Sequence, residues 1–414
     1  MRYEFHDVEV TAPLPTLELD EATDGLAVLV RQNGRPVRFW MEPRPPETTI
    51  APDALARRIS ANAAVALLKE TIREELTADA ERFDASFATG EPAEVPRFRL
   101  SVAVCTKDRS ERLARCLDSL PSAHEILVVD NAPSDRRTRA LVEARRGVRY
   151  VCEPKPGLDF ARNRALSEAT GDLIAFFDDD VVVDRHWLCG LVEAWRENPD
   201  AAAFTGLILP LELETEAQIR FEQIGGFRGG PGHGFEKIRW GRAPADAVRY
   251  PCDAGVFGSG ANMVFRRDVL VALGGFDEAL DTGAPLAGGG DLDLFYRAVR
   301  AGHVIAYEPR CLVFHEHRRE LGALRRQYWS WGSSFMAFAT KSLHTDPSQR
   351  HKWRRLLAWW FARHQALRLA KALLGGTPLR ADMVLAEICG AVGGLCGGYR
   401  RSMRRVGGIR REFA

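Results

Sequence analysis

Between residues 98 and 180 the apolar positions alternate between two periods. Leu100–Cys105, Glu125–Asp130, Val148–Val151 and Asp172–Phe177 are short runs rich in Val, Ile, Leu, Ala and Phe. Between them lie three stretches of helical spacing: Ser110–Leu120, with Leu113, Leu117 and Leu120 on one face, a segment around Arg137–Arg146, and Asp159–Ala169. Strands apolar on both faces are those that crossover helices cover. The alternation therefore predicts an α/β layer arrangement with a mainly parallel, Rossmann-like sheet and flanking helices. Ligands of such sheets gather at the carboxyl ends of the strands. Here those ends carry Thr106-Lys107-Asp108, Asp130-Asn131 and Asp178-Asp179-Asp180.

The pattern changes on either side. Residues 1–95 read as a small α+β module. Leu26–Val30 and Pro36–Trp40 flank Gln32-Asn33-Gly34-Arg35, and Asn-Gly between apolar runs signals a hairpin. After a Pro-rich break, Leu55, Ile59, Val65, Leu68, Ile72 and Leu76 mark an amphipathic helix over Pro52–Leu76. Nothing there carries recognisable chemistry, so a docking or oligomerisation module is the expectation. Residues 96–320 form the main domain, and 321–414 a helical, basic region. In the last, Leu324–Thr340 is rich in aromatic residues, and Trp353, Leu356, Leu357, Trp360, Phe361, Leu367 and Leu374 recur at helical spacing with arginines between them. Such a stripe describes a helix packed on the body or one lying in a membrane interface.

Composition sharpens this picture in three places. The 414 residues are 46% hydrophobic and 27% charged, a globular balance. None of the eight cysteines forms a Cys-x-x-Cys pair, so free thiols in a reducing compartment are expected rather than disulfides or a zinc site. The N-terminus lacks a basic head with an apolar stretch, and no apolar run reaches the ~18 residues of a membrane span. The chain thus reads as soluble and cytoplasmic. Charge is uneven, however. Arg318–Ala414 holds 19 Lys/Arg against 5 Asp/Glu in a chain of formal charge +1. Such a tail, ending in Arg400, Arg401, Arg404, Arg405, Arg410 and Arg411, suits anionic lipid headgroups on the inner membrane face, another polyanion, or the acidic body itself. Nucleic acid is not expected as a partner.

Asp178, Asp179 and Asp180 follow directly on the apolar run IAFF. Adjacent carboxylates repel one another and resist desolvation unless a cation neutralises them. Asp178 and Asp180 point the same way if the strand continues, and hard oxygen ligands suit Mg²⁺ or Mn²⁺. A solvated acidic turn is the competing reading.

The elements from Val102 to Arg185, VAVCTKDRSERLARCLDSL, ILVVDNAPSD and KPGLDFARNRALSEATGDLIAFFDDDVVV, resemble the family-2 glycosyltransferases. GSGANMVFRRDVLVALGGFDEAL and GGGDLDLFYRAVRAGHVIAYEP continue the likeness to about residue 320. The resemblance implies a GT-A fold and inverting transfer of a sugar from a nucleotide-diphosphate donor to a hydroxyl of a carbohydrate or other acceptor, including a lipid-linked one. It implies donor contacts from Thr106, Asp108, Arg109, Asp130, Asn131, Arg162, Asn163, Asp178 and Asp179. It implies Mn²⁺ or Mg²⁺ on Asp178 and Asp180, with His315 as a third ligand and His317 beside it. Gly260, Asn262, Gly290 and Asp293 fall on the acceptor side. Many relatives carry Glu-Asp before a hydrophobic helix, whereas this sequence reads Gly288-Gly289-Gly290-Asp291. Asp291 is the expected catalytic base, with Asp293 its competitor and helix capping the bland alternative. Two other functions compete: nucleotidyl transfer, which would want a Gly-rich basic signature where CTKDRSER stands, and non-catalytic carbohydrate or partner binding on the same scaffold.

Overall fold

The computed structural model describes residues 1–87, 98–228, 234–241, 249–281, 283 and 285–414. Two units emerge: Met1–Arg97 with Glu212–Glu236, and Phe98–Leu211 with Lys237–Ala414. The expected boundary near residue 95 lies outside the described residues.

The first unit opens with strands β1 (Tyr3–Glu9), β2 (Leu17–Glu18), β3 (Gly25–Gln32), β4 (Arg35–Pro43) and β5 (Thr49–Ile50), followed by helix α1 (Pro52–Phe87). β3 and β4 are the expected hairpin, and Asn33 and Gly34 at its tip have φ of 51° and 76°. Positive φ at both central residues matches the twist of the flanking strands. β1 adds to β3 in parallel. On α1, Leu55, Ile59 and Ala63 are buried, but Val65, Leu68, Ile72 and Leu76 are exposed. The expected apolar face is thus covered only at its start. Further along, the helix meets the hairpin through polar groups: Arg35 Nε pairs with Glu70 at 2.8 Å, Gln32 with Thr71 at 3.0 Å and Asn33 with Glu74 at 3.0 Å.

The second unit begins β6 (Leu100–Thr106), α2 (Ser110–Ser119), β7 (Glu125–Asn131), α3 (Arg137–Glu143), β8 (Val148–Glu153), α4 (Leu158–Glu168), β9 (Leu173–Asp178), β10 (Val181–Val183), α5 (Trp187–Glu197) and β11 (Ala201–Pro210). The chain then contributes α6 (Glu216–Gln223) to the first unit, its start closed by a capping box between Thr215 and Gln218. It returns with β12 (Ile238–Trp240), β13 (Asn262–Arg266), α7 (Arg267–Ala272), α8 (Gly290–Arg300) and β14 (Val304–His315). The sheet order is β10-β14-β11-β13-β9-β6-β7-β8, with β12 on β14. It is mainly parallel: β6, β7, β8 and β9 run together, and β11 and β14 share their direction beyond the opposed β13. Because β13 runs against β9, with Asn262 opposite Phe177, the residues just before β13 arrive where β9 ends.

The same unit holds α9 (Leu321–Thr345), α10 (Arg350–Trp359), α11 (Ala366–Leu373), α12 (Ala381–Leu395) and α13 (Gly398–Glu412), with a π-helical turn over Trp360–Gln365. Trp353 is fully buried against Phe338 and Tyr296, and Leu356 and Trp360 are also buried. Leu367 and Leu374 are exposed. The long stripe read from sequence therefore packs on the body in its first half only. All eight cysteines are free. No single helix among the described residues is long and apolar enough to cross a membrane.

Candidate active site

Three parallel strands end side by side, Thr106 opposite Asp130 and Cys105 opposite Asp178. The residues after β6 and β7 then turn through left-handed backbone, Asp108 at φ 55° and Ala132 at φ 44°. Non-glycine residues persist there only where their surroundings hold them. Asp108 Oδ1 accepts from Ser134 N at 2.9 Å and so ties the two loops together. Asp130 is fully buried. Its Oδ2 accepts from Tyr150 Oη at 3.0 Å, while Oδ1 has no hydrogen-bond partner. Burial, only partly opposed by Tyr150, raises its pKa. A buried acceptor held open beside a strand end is suited to a ligand donor. Asn131 braces the next loop, donating to Lys155 O at 2.7 Å and accepting from Gly157 N at 2.9 Å.

The three aspartates do not continue the strand, which ends at Asp178, and their side chains part company. Asp178, with a side chain 34% exposed, faces Arg162 Nη2 at 3.6 Å. Burial outweighs that guanidinium and pushes its carboxyl up to about 6. Asp179 turns inward to accept from Thr106 Oγ1 at 2.6 Å and Arg109 Nη1 at 3.1 Å. It anchors the acidic turn to the β6 loop. Asp180 is buried on the other side, with Arg318 at 3.7 Å, Arg109 at 3.8 Å and His315 Nε2 at 3.4 Å from its oxygens. Burial opposes ionisation there, yet His315 and the arginines together hold its pKa low. Burial also lowers His315 to about 4, leaving a neutral imidazole near pH 7. Its Nδ1 lies 3.0 Å from Nδ1 of His317.

Two donors of the expected metal set face each other: Asp180 Oδ1, buried without a hydrogen-bond donor, and His315 Nε2, 3.4 Å away. Asp178 does not close a three-ligand cluster with them as the side chains stand. Among the described residues, it is instead Glu193, Glu197 and Glu308 that bring three ligand atoms within 4.8 Å of one another. Lys237 Nζ already sits among them, 2.6 Å from Glu193 and Glu197 and 3.2 Å from Glu308.

Asp291 occupies the first turn of α8. Its Oδ2 accepts from Gly260 N at 2.8 Å and its Oδ1 from Leu292 N at 2.9 Å. This carboxylate thus bonds a first-turn backbone N–H of α8 and the loop before β13, while the N-cap of the helix is Gly289. Beneath it lies Arg162, buried and bonded to Asp159 Oδ1 at 3.1 Å, with Asp178 at 3.6 Å and Asp281 at 4.0 Å. Asp159 has no exposed surface, and its Oδ2 has no partner. Its pKa is raised by burial, with Arg162 opposing. Two glycines make the packing possible. A Cβ on Gly260 would lie 2.7 Å from Arg162 Nη2, and one on Gly290 would lie 1.9 Å from Asp159 Oδ2.

Three residues expected at the ligand spend their side chains internally. Asp293, expected as an acceptor contact or competing base, is buried between Arg297 and Lys341, each at 2.7 Å. Asn262 donates to Leu207 O and Cys311 O and accepts from Trp187 Nε1 at 3.0 Å. Asn163 clasps the Phe276 backbone, donating at 3.0 Å and accepting at 2.8 Å.

Known proteins are similar to this chain in sequence over the same region. The profile described as glycosyl transferase family 2 matches residues 101–274. The succinoglycan biosynthesis protein ExoM of Rhizobium meliloti is 30% identical over 261 residues, 59% of this chain and 76% of that protein. The chain belongs to glycosyl transferase family 2. A pre-mycofactocin glycosyltransferase of Mycobacterium tuberculosis is 28% identical to the family 2 chain over 254 residues, 60% of this chain. The chain spans half the length of that relative. Among solved structures, the mannosyltransferase PcManGT of Pyrobaculum calidifontis, in complex with GDP-Man and Mn²⁺, covers 80% of this chain and 97% of its own at 18% identity, with a TM-score of 0.49.

Four residues that line the candidate site were not read from sequence: Asp159, Asp281, Tyr150 and Arg318. Asp159 had a local signal, since it stands one helical turn before Arg162, where an ion pair forms naturally. The others arrive from separate elements and have none.

Proposed function

We propose that the chain is a metal-dependent, inverting glycosyltransferase, moving a sugar from a nucleotide-diphosphate donor to an acceptor hydroxyl. The observation that carries the reading is Asp291: a carboxylate fixed by Gly260 N and Leu292 N and joined through Arg162 to the acidic strand end at Asp178. Asp130, with one oxygen unpartnered, would receive a donor group of the nucleotide. Asp178, Asp180 and His315 would hold Mn²⁺ or Mg²⁺, which would offset charge developing on the departing diphosphate. Arg109 and Arg318 stand near Asp180 and add positive charge on the leaving-group side. Asp291 would take the proton of the acceptor hydroxyl as that oxygen attacks the anomeric carbon opposite the diphosphate, so a single displacement inverts configuration. Arg162, rigid between Asp159 and Asp178, would keep the base and the donor end in register. Membership in the family and the glycosyltransferase relatives support the transfer.

The test is nucleotide-diphosphate release from UDP-, GDP- and dTDP-sugars with Mn²⁺ or Mg²⁺, for the parent and Asp291→Asn. Release by the parent, lost in a variant that still binds nucleotide, is the expected result. Equal turnover in both would remove Asp291 from its role. No metal-dependent nucleotide binding by the parent would favour a non-catalytic scaffold.

A further inference from the structure

The C-terminal helices leave an apolar surface bare. No residue of α11 is buried, and Leu373 and Leu374 are 70% and 85% exposed where the chain turns through Gly375 and Gly376 into α12. On α12, Leu385, Cys389 and Val392 are exposed at i, i+4 and i+7, which is one side of a helix. Its other side, with Val384, Gly390 and Ala391, is buried. α13 adds charge. Ser402, Val406 and Ile409 face inward, so Arg400, Arg404 and Arg411 fall on the opposite, exposed side. These three have no carboxylate partner among the described residues, whereas Arg410 pairs with Glu278 at 2.7 Å.

We infer that this face docks the protein on an anionic lipid bilayer. The inference is independent of the sugar-transfer reading. Two leucines projecting from a turn suit shallow insertion below headgroups, and arginines without acidic partners suit the phosphates above them. The local excess of positive charge has the matching sign. Contact is interfacial: α12 and α13 pass as a span only as a pair bent by 64°, and that path would carry the arginines of α13 into hydrocarbon.

Co-sedimentation of the full chain with vesicles tests it. Binding to phosphatidylcholine vesicles containing phosphatidylglycerol, release by high salt and no binding to phosphatidylcholine alone are expected. Arg400→Gln/Arg404→Gln/Arg411→Gln should weaken binding on the order of 100-fold. Leu373→Asp/Leu374→Asp should abolish it with melting temperature and nucleotide affinity unchanged. Quenching of tryptophan fluorescence by brominated lipid, with Trp329 44% exposed beside Gly393, reports insertion without any variant. Equal binding to neutral vesicles, survival of an alkaline carbonate wash, or a stable dimer broken by the leucine pair would each overturn the inference.

Discussion

Gly290→Ala should destabilise the protein although helix propensity alone argues the reverse. The glycine lies in the first turn of α8, and alanine is favoured over glycine in helices by up to ~1 kcal/mol. Against this, the new Cβ would lie 1.9 Å from Asp159 Oδ2 and 2.7 Å from its Cγ, so the carboxylate must move. It has no exposed surface to move into, and its other oxygen is bonded to Arg162 at 3.1 Å. Losing a charge-assisted bond costs ~1.5–3 kcal/mol. The net loss is about 1–2 kcal/mol, or about 2–4 °C in Tm for a unit of this size. Calorimetry on the parent, Gly290→Ala, Asp159→Ser and the double variant gives the coupling. In the Asp159→Ser background the alanine should cost nothing. A Gly290→Ala protein as stable as the parent, or a penalty that survives Asp159→Ser, would refute the packing described here.

Asp180→Ala should weaken Mn²⁺ and nucleotide binding together in calorimetric titration, and unchanged metal affinity would count against its place in the metal site. Burial, opposed by Arg162 and reinforced by Asp291 and Asp178, pushes the Asp281 carboxyl up to about 7. Since Asp281 ionises later in the folded than in the unfolded chain, its contribution is complete in acid and is lost as pH climbs from about 4 to about 7. In metal-free protein Asp281→Asn should flatten that fall in Tm, and an identical profile would dismiss the shift. Lys341→Met strands Asp277 and Asp293, each 2.7 Å from the ammonium, and should cost about 3–5 kcal/mol in urea unfolding. A loss under 1 kcal/mol would mean that Arg297, on Asp293, and Tyr399, whose hydroxyl donates to Asp277 Oδ2 at 2.8 Å, suffice.

What could be read from sequence follows from how local each signal is. The strands ending at Thr106, Asp130 and Asp178 were legible because burial on both faces leaves continuous apolar runs. The role proposed for Asp291 came only through resemblance, since an aspartate opening a helix is ordinary. β13 was hidden: five residues, Asn262–Arg266, give no indication of direction, yet its opposed course is what delivers Gly260 to Asp291. Asp178 and Asp180 were expected to point together because strand periodicity was extended two residues too far, past the end of β9 at Asp178. On α1 the apolar spacing persists past Ala63, but Glu70, Thr71 and Glu74 meet the hairpin instead. Tyr150, Asp281 and Arg318 reach the site through tertiary packing alone.

The first unit is assembled from two stretches of chain, Met1–Arg97 and Glu212–Glu236, with Tyr3 N bonded to Leu213 O at 2.8 Å. During synthesis this unit stays unfinished until residue 236 has left the ribosome, after six of the nine strands of the large sheet, β6–β11, have already emerged. No single cut releases either unit whole, so a truncation that begins at Phe98 would orphan α6 and its neighbours rather than isolate a catalytic core.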